Sequence, residues 1–300
     1  MKFAAIDIGS NALRLLFCNV YEEGNGSVSF KKAELIRIPL RLGEDSFLFG
    51  KISEEKTEKL IASIQAFKQL IKINEPHSYR ACATSAMRDA SNGSDIIKRI
   101  YAETGVTIEL IDGKTEASTI YANHIEKDLN SKTAYLYIDI GGGSTELTLF
   151  HKKEIIVSQS FNIGTIRMLH NQIDKEQWSA FKNWVEKNTK EHKPIIAVGS
   201  GGNINKLFKM SGKKPNKAIT TVKLKSLYEL LASYTYEERI KILALNPDRA
   251  DVIIPASKIL LTILKKANIE KTIVPQIGLA DGIVHQLYES YLKEKELKVV

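Results

Sequence analysis

The feature that most constrains the fold is a repeat. The tetrapeptide Ile-Asp-Ile-Gly occurs at residues 6–9 and again at 138–141. In the first copy, Phe3 to Gly9 has the apolar character of a buried strand, Ser10 and Asn11 form a polar turn, and Leu13 to Val20 reads as a second strand. The first copy therefore predicts a β-hairpin with polar residues at its tip.

The second copy follows the same plan. Ala134 to Ile140 reads as a strand, Gly141 to Ser144 as the turn, and Glu146 to Phe150 as the returning strand. Each hairpin is followed by a third apolar segment and then by helical periodicity, at 33–40 and 53–73 in the first half and at 155–161 and 175–191 in the second. The pattern predicts an α/β protein with two duplicated β-β-β-α lobes, each a mixed sheet covered by helices.

The length of 300 residues suits two domains of ordinary size. We expect Ser118 to Asn130 to form a helix that crosses between them, which gives lobes at 1–123 and 124–300. The pattern from Leu279 to Leu297 predicts one long amphipathic helix at the end of the second lobe. The apolar stripe of that helix could cover its own domain or a second copy in a homodimer.

Charge and composition narrow the partners and the compartment. The formal net charge of +8 favours anionic partners without choosing among them. No zinc finger, RNA-binding aromatic signature or arginine-rich stripe is visible, which argues against specific nucleic-acid binding. No signal-peptide core or membrane-spanning stretch is found, so we expect a cytoplasmic protein that does not bind membranes. Cys18 and Cys82 lie in apolar runs and should be reduced, buried thiols.

The first turn has the residues of an anion site. Gly9 allows successive backbone N–H groups to converge on one point, and Ser10 and Asn11 add side-chain donors. Asp7 ends the strand beside them and could hold a metal or a metal-bound water. A polar hairpin tip alone is a common structural feature, so this turn gains weight only from its repetition.

The second turn is more specific. Gly141, Gly142 and Gly143 in succession sacrifice backbone entropy, which close approach of a ligand to the backbone and to Ser144 would explain. Asp139 and Glu146 flank the turn, and their hard oxygens suit Mg²⁺ or another divalent cation such as Mn²⁺. We expect a phosphate and metal site here.

A third glycine-rich turn follows the strand Ile195 to Val198. It contains Gly199, Ser200 and Gly201 and opens onto the predicted helix Ile204 to Met210. Free N–H groups at a helix N-terminus bind phosphate, although the same sequence also suits an ordinary strand-to-helix turn.

Taken together, these motifs resemble the exopolyphosphatase and guanosine pentaphosphate phosphohydrolase (Ppx/GppA) family, in its short form without the C-terminal helical domain of longer members. The resemblance runs from about residue 3 to residue 290 in the family's order. It rests on Asp7 to Asn11, Ala83 to Arg88, Asp112 to Ala117, Asp139 to Glu146, Gly199 to Gly202, Arg249 to Asp251 and Gly278 to Gly282.

The resemblance implies two actin-like lobes (ribonuclease H-like, ASKHA superfamily) with five-stranded sheets and a cleft between them. It also implies Mg²⁺-dependent release of terminal orthophosphate from polyphosphate or guanosine pentaphosphate. The family's catalytic glutamate corresponds to Glu116, just before the crossover helix, and Arg88 and Arg249 correspond to substrate-binding positions. Asp112 and Thr115 stand where the family pattern has Ser and a first Glu.

These assignments make one mechanistic hypothesis. Glu116 orients and deprotonates the attacking water, Asp139 and Glu146 hold the metal, and the turns with Arg88 bind the phosphates. Two alternatives stay open: a kinase of the same superfold, and a non-enzymatic sensor of guanosine polyphosphates.

Overall fold

The computed structural model describes residues 1–24, 27–121, 133–152, 154–214 and 217–297. The chain divides into two units, Met1–Asn123 with Leu279–Val300, and His124–Gly278. The predicted boundary at residue 123 and much of the predicted crossover helix lie outside the described residues, so that boundary stays a prediction.

The first unit is built on one mixed sheet. Its strands are β1 (Lys2–Ile8), β2 (Leu13–Glu22), β3 (Val28–Ile38), β4 (Ser78–Ala83) and β5 (Glu109–Leu110). Its helices are α1 (Leu42–Phe49), α2 (Glu54–Asn74), α3 (Ser85–Asp89), α4 (Gly93–Thr104), α5 (Gly113–Tyr121) and the C-terminal α13 (Leu279–Leu297). The strand order is β3-β2-β1-β4-β5, with β1, β2 and β3 antiparallel and β1, β4 and β5 parallel.

The second unit repeats that plan and extends it. Its strands are β6 (Ala134–Ile140), β7 (Thr145–His151), β8 (Glu154–Phe161), β9 (Ile195–Ser200), β10 (Ile219–Thr220) and β11 (Lys271–Ile273). Its helices are α6 (Thr165–Leu169), α7 (Lys175–Thr189), α8 (Gly202–Met210), α9 (Thr221–Ser233), α10 (Tyr236–Lys241), α11 (Pro247–Ala250) and α12 (Ile253–Lys266). The order β10-β11-β9-β6-β7-β8 gives this sheet six strands where five were predicted. The two short strands β10 and β11 have too few residues to show an alternating pattern.

Each unit has its own apolar core. In the first, residues of β1 and β2 such as Ile6 and Leu15 pack with Leu60 and Phe67 of α2. In the second, Ile138 and Leu147 belong to a core shared with α7, α8, α9 and α12. Helix α2 begins with a cap, in which the Ser53 side chain accepts a hydrogen bond from the Lys56 N–H.

The C-terminal helix differs from its prediction. We placed residues 124–300 in the second lobe, but α13 packs with the first unit, against β1, β2, β4 and α5. Phe3 contacts Tyr288 and Tyr291 edge to face, and Phe30 stacks on His285 with ring centroids 3.7 Å apart. The Lys32 ammonium lies 2.8 Å from a carboxylate oxygen of Asp281. The apolar stripe of α13 is thus covered within its own chain, and a homodimer stays a prediction.

Two further features bear on the sequence expectations. Cys18 and Cys82 are free and buried. None of the helices in the described ranges is long and apolar enough to cross a membrane.

Candidate functional site

The first predicted turn is held by backbone hydrogen bonds from the start of α1. The Gly43 N–H donates to the Ser10 carbonyl at 2.8 Å, and the Arg41 N–H donates to the Asn11 carbonyl at 3.0 Å. In a planar trans peptide the carbonyl of one residue and the N–H of the next point in opposite directions. The N–H groups of Asn11 and Ala12 therefore point away from α1.

Side chains around this turn are tied into the first unit. The hydroxyls of Ser10 and Ser85 lie 2.9 Å apart, which joins the turn to α3. Asp7 faces Arg14 across the β1–β2 pair, and the Arg14 guanidinium donates to the Asp7 carboxylate at 2.5 Å. Asp7 is 5% exposed. Its carboxylate is thus buried and already has a cationic partner in Arg14.

Glu116 lies in the first turn of α5, which begins earlier than predicted. We expected the helix to start at Ser118, but it starts at Gly113. The reason is a cap: the Asp112 carboxylate accepts the Thr115 N–H at 2.7 Å, and the Asp112 carbonyl accepts the Glu116 N–H at 2.9 Å. The hydrogen bonds from Thr115 to the Asp112 carboxylate hold the pKa of Asp112 below its usual range. Aspartate therefore serves as a helix cap where the family pattern has serine.

Cys82 is a buried thiol on the strand next to Asp7. Cys82 is the β4 residue beside Asp7 in the parallel β1–β4 pair. Burial raises the pKa of Cys82 to about 12, and the carboxylates of Glu109, Asp7 and Glu116 add to the increase against the opposing effect of Arg80. Asp7 in β1 and Glu116 in α5 thus belong to the same unit of the chain.

Arg88 connects α3 to the entry of α5. Its guanidinium donates to the Ile111 carbonyl at 2.9 Å, immediately before the Asp112 cap, and lies 3.7 Å from the Asp89 carboxylate. The side chain is 25% exposed. Arg88 is placed in the unit that carries Glu116, with part of its guanidinium open to solvent.

The second turn is held in the same manner, by three hydrogen bonds where the first turn has two. Three successive carbonyls are bonded: the Thr165 N–H donates to that of Gly141 at 3.0 Å, the Ile166 N–H to that of Gly142 at 2.9 Å, and the Arg167 Nε to that of Gly143 at 2.9 Å. By the same peptide geometry, the N–H groups of the next three residues, Gly142 to Ser144, point away from α6. Three consecutive donors on one side form a cradle for an anion.

Gly164 makes this close approach possible. A Cβ at this position would lie 2.3 Å from the Gly142 carbonyl oxygen and 2.4 Å from the Gly143 carbonyl carbon, both backbone atoms. No side chain fits there without moving the turn. Gly164 carries no signal of this role in the sequence, because the contact depends on how α6 packs on the turn.

Two carboxylates lie side by side at the second turn. Asp139 and Glu146 are opposed in the antiparallel β6–β7 pair, which places their side chains on the same face of the sheet. Glu146 is 1% exposed, and its carboxylate accepts a hydrogen bond from Ser160 of β8 at 2.7 Å. The neighbouring carboxylates, one fully buried, would be stabilised by a cation between them.

The donor set fits a hard divalent ion. Magnesium is usually held by one or two carboxylates and shares phosphate oxygens and water for its other positions. Asp139 and Glu146 supply that number and type of ligand. Within the described ranges no group of three or more His, Cys, Asp or Glu side chains is gathered in a way that could hold a metal.

The third turn lies beside the second because β9 pairs with β6, which places Ser200 next to Asp139. Gly201 has φ of 99°, and a Cβ there would lie 2.8 Å from the Ile140 carbonyl oxygen and 3.0 Å from an Asp139 carboxylate oxygen. The Ser200 hydroxyl donates to the Ile277 carbonyl at 2.8 Å. Helix α8 starts directly after the turn, at Gly202, so its N-terminus belongs to the same part of the second unit.

Arg249 lies in the short helix α11 of the second unit and is half-buried. Its backbone N–H donates to the Asn246 carbonyl at 2.8 Å. Its predicted role in substrate binding stays a prediction.

Besides Gly164, four residues with a place at these turns were missed from the sequence: Arg14, Arg37, Ser160 and Arg167. Arg14 and Arg37 are opposed in the β2–β3 pair, in the row that contains Asp7. Ser160 occupies the corresponding row of the second sheet, opposite Glu146. Strand register places Arg14, Arg37 and Ser160, and the packing of α6 on the second turn places Arg167. The sequence carries no motif for either.

Comparison with known proteins identifies the family of this chain. The family model described as "Ppx/GppA phosphatase family" matches residues 20–291. Exopolyphosphatase 1 of Mycobacterium leprae is 24% identical, over 97% of this chain and 90% of the relative. The guanosine-5'-triphosphate,3'-diphosphate pyrophosphatase of Vibrio cholerae is 26% identical, over 97% of this chain and 60% of the relative.

Solved structures give the same result for the fold. The crystal structure of an exopolyphosphatase from Cytophaga hutchinsonii matches with a TM-score of 0.83 at 23% identity, covering 97% of this chain and 98% of the other. The Ppx/GppA family member of Aquifex aeolicus matches with a TM-score of 0.73 at 25% identity, covering 98% of both chains. The predicted actin-like α/β fold is confirmed. With the family model spanning most of its length, the chain belongs to the Ppx/GppA phosphatase family, a family of hydrolases.

Proposed function

We propose that this protein releases terminal orthophosphate from inorganic polyphosphate, guanosine pentaphosphate or both. The relatives named as exopolyphosphatase and as guanosine pentaphosphate pyrophosphatase support this substrate class. The observation that carries the proposal is the second turn, where three carbonyls bonded to residues 165–167 leave three successive N–H groups directed to the other side. Such a row of donors suits the oxygens of a phosphate group.

Phosphate binding is divided among the turns and the basic side chains. The N–H groups of Asn11 and Ala12 and those of Gly142 to Ser144 bind phosphate oxygens, and the start of α8 adds further donors. Arg88 and Arg249 neutralise negative charge on the substrate, as does Arg14 beside the first turn. Because a phosphate chain carries many charges, neutralisation is a large part of the catalytic task.

Glu116 is the proposed general base. Its carboxylate orients a water molecule and accepts one of its protons while the water oxygen attacks the terminal phosphorus. The bond between that phosphorus and the bridging oxygen breaks, orthophosphate is released, and the shortened phosphate chain leaves with the bridging oxygen. The placement of Glu116 on the first turn of a capped helix fixes its backbone for this role.

Asp139 and Glu146 are the proposed ligands of Mg²⁺. Bound there, the ion would offset charge on the phosphate oxygens as the P–O bond breaks. Ser160 orients the Glu146 carboxylate by the hydrogen bond of 2.7 Å. Gly201 leaves room for the Asp139 carboxylate, because a Cβ at that position would lie 3.0 Å from one of its oxygens.

The test is orthophosphate release with Mg²⁺ from short polyphosphate, long polyphosphate, guanosine pentaphosphate and ATP in parallel. Glu116→Gln should reduce turnover on the preferred substrate by about 10²–10⁴-fold, the usual contribution of a positioned base. Glu55→Gln is the matched control, because Glu55 is also a first-turn glutamate of the first unit and is exposed.

The outcomes separate the hypotheses. Release from polyphosphate or guanosine pentaphosphate that is lost in Glu116→Gln and kept in Glu55→Gln supports the proposal and names the substrate. Near-normal activity of Glu116→Gln would refute the assigned base. Tight guanosine polyphosphate binding without release would favour the sensor, and ATP use that requires an acceptor would favour the kinase.

A further inference from the structure

A second basic site lies in the second unit, in residues that none of the turns uses. The ends of α7 and α12 border a cavity of about 400 Å³. Its lining residues are Asn183, Glu186, Lys187, Thr189, Lys190, Lys193, Lys266 and Ala267. Four of these eight side chains are lysines, so the cavity gathers basic charge from two helices and the following loop.

The charge balance of the cavity is positive after the opposing groups are counted. Lys266 is paired with Glu186, with an N–O distance of 2.7 Å, and the Glu186 carboxylate cancels one lysine. The hydrogen bond and the charge of Lys266 hold the pKa of Glu186 below its usual range, and the positive charge of Lys190 adds to the effect. Two helix C-termini contribute about −0.5 charge each. The lysines at the cavity therefore exceed the local negative charge by about two units.

The chemistry of the lining residues limits the ligand. Lysine is a compact point charge that binds phosphate without the planar, bidentate geometry of arginine. Among the described residues that line the cavity there is no aromatic side chain on which a nucleobase could stack. Asn183 and the lysines supply hydrogen-bond donors. This set suits a small, highly charged phosphate compound without a base.

We infer that this cavity, here called the lysine pocket, binds inorganic phosphate chains at a site separate from the hydrolytic residues. A phosphate chain places one negative charge on nearly every unit, which matches several lysines within one cavity. Lys187, Lys190 and Lys193 bind the phosphate chain. Glu186 weakens the binding because it forms an ion pair with Lys266. The inference does not rest on the proposed hydrolysis, because binding here needs neither Glu116 nor a metal.

The direct test is lysine footprinting of the whole protein. The rate of amine acetylation at each lysine is measured by mass spectrometry with and without tripolyphosphate. Lys187, Lys190 and Lys193 should be acetylated at least about threefold more slowly when tripolyphosphate is bound. Lys223 and Lys225, exposed on α9 of the same unit, should keep their rates. Equal protection of both groups, or protection of neither, would overturn the inference.

Affinity measurements supply the matched control. Replacing Lys187, Lys190 and Lys193 together with Gln should weaken tripolyphosphate binding at this site by about tenfold, because three exposed charge pairs with the ligand are lost. Lys223, Lys225 and Lys241 replaced with Gln remove the same net charge and should leave the affinity within about twofold. Equal loss in the two triple variants would mean that only overall charge matters, and the pocket would be rejected.

Two further arms sharpen the result. Glu186→Gln should strengthen tripolyphosphate binding, because it releases Lys266; weaker binding would contradict the assigned charge balance. A single-stranded oligonucleotide that protects the three lysines more strongly than tripolyphosphate does would replace the phosphate-chain ligand with a nucleic acid. Orthophosphate release from a short substrate should be unaffected by the triple substitution in the pocket.

Discussion

The two Ile-Asp-Ile-Gly turns have the same backbone plan but differ in the residue that faces the aspartate across the hairpin. In the first sheet, the row through Asp7 continues to Arg14 and Arg37. In the second, the row through Asp139 continues to Glu146 and Ser160. One carboxylate is thus neutralised by arginine within the protein, while the other has a second carboxylate beside it. The first turn is suited to anionic phosphate and the second to a metal with its phosphate.

The turns also differ in how closely the next helix approaches. The residue before α6 is Gly164, and its contact with the turn leaves no room for a Cβ. The residue before α1 is Arg41, which adopts a left-handed conformation with φ of 52° and pairs with Glu44 at 2.6 Å. The duplicated fold thus tolerates a large side chain at one turn and none at the other. The tighter contact lies where we propose the metal.

The largest expected effect comes from removing one charged side chain from each of the two rows. Glu146→Gln should lower kcat by about 10²-fold or more, because metal stabilisation of the transition state amounts to several kcal/mol. Arg14→Gln should chiefly raise KM, by about tenfold, because it removes a phosphate-binding cation. Steady-state kinetics on the preferred substrate check both variants. Equal kcat losses with unchanged KM would break the division of roles.

The next effect is on stability. Gly164→Ala should lower the free energy of unfolding by about 3 kcal/mol, the upper range for overpacked sites, because the Cβ meets backbone atoms. Arg41→Gly, at the corresponding position, should stay within about 1 kcal/mol of wild type, since relief of the left-handed conformation offsets the lost ion pair. Urea unfolding measures both. A destabilisation of Arg41→Gly as large as that of Gly164→Ala would show that the two turns are equally constrained.

Ser160→Ala should have a moderate effect on catalysis. Loss of the hydrogen bond to Glu146 should reduce kcat about tenfold and raise the Mg²⁺ concentration for half-maximal rate, as expected for a residue that orients a metal ligand. Ser158→Ala is the control, because Ser158 makes a similar bond of 2.8 Å to Thr148 on the same strand pair. If both variants shift the Mg²⁺ dependence alike, Ser160 has no specific role.

The smallest effect concerns the helix that holds the first turn. Asp45 of α1 accepts hydrogen bonds from the Ser53 N–H at 2.9 Å and the Lys56 ammonium at 2.7 Å. Burial raises the pKa of Asp45, but these bonds outweigh burial and leave it below its usual range. The stabilisation is therefore present at neutral pH and is lost as pH falls through the lowered pKa.

Asp45→Asn should cost about 1–2 kcal/mol of unfolding free energy at pH 7. The difference from wild type should begin to shrink below about pH 4, the pKa of an ordinary aspartate, and should be lost as the pH falls through the lowered pKa of Asp45 in the folded protein. Urea unfolding at several pH values tests this, and a constant difference across that range would contradict it.

The local structure of the chain could be predicted from the sequence, but the tertiary contacts of its elements largely could not. The hairpins, the glycine turns and the Ser53 cap were predictable because apolar alternation and turn residues act over a few neighbouring positions. The start of α5 was wrong because Asp112 was considered as a departure from a family pattern and not as a cap. The unit to which α13 belongs could not be predicted, because an amphipathic stripe does not identify the surface that covers it. Arg14 and Ser160 depend on strand register in the same way.

The most direct test of the unequal turns is metal binding at the two equivalent aspartates. Titration with Mn²⁺, followed by electron paramagnetic resonance, should show a bound ion in wild type and in Asp7→Asn, because Asp7 is already paired with Arg14. Asp139→Asn should lose that ion. Equal loss in both variants, or retention in Asp139→Asn, would contradict the assignment of the metal to the second turn.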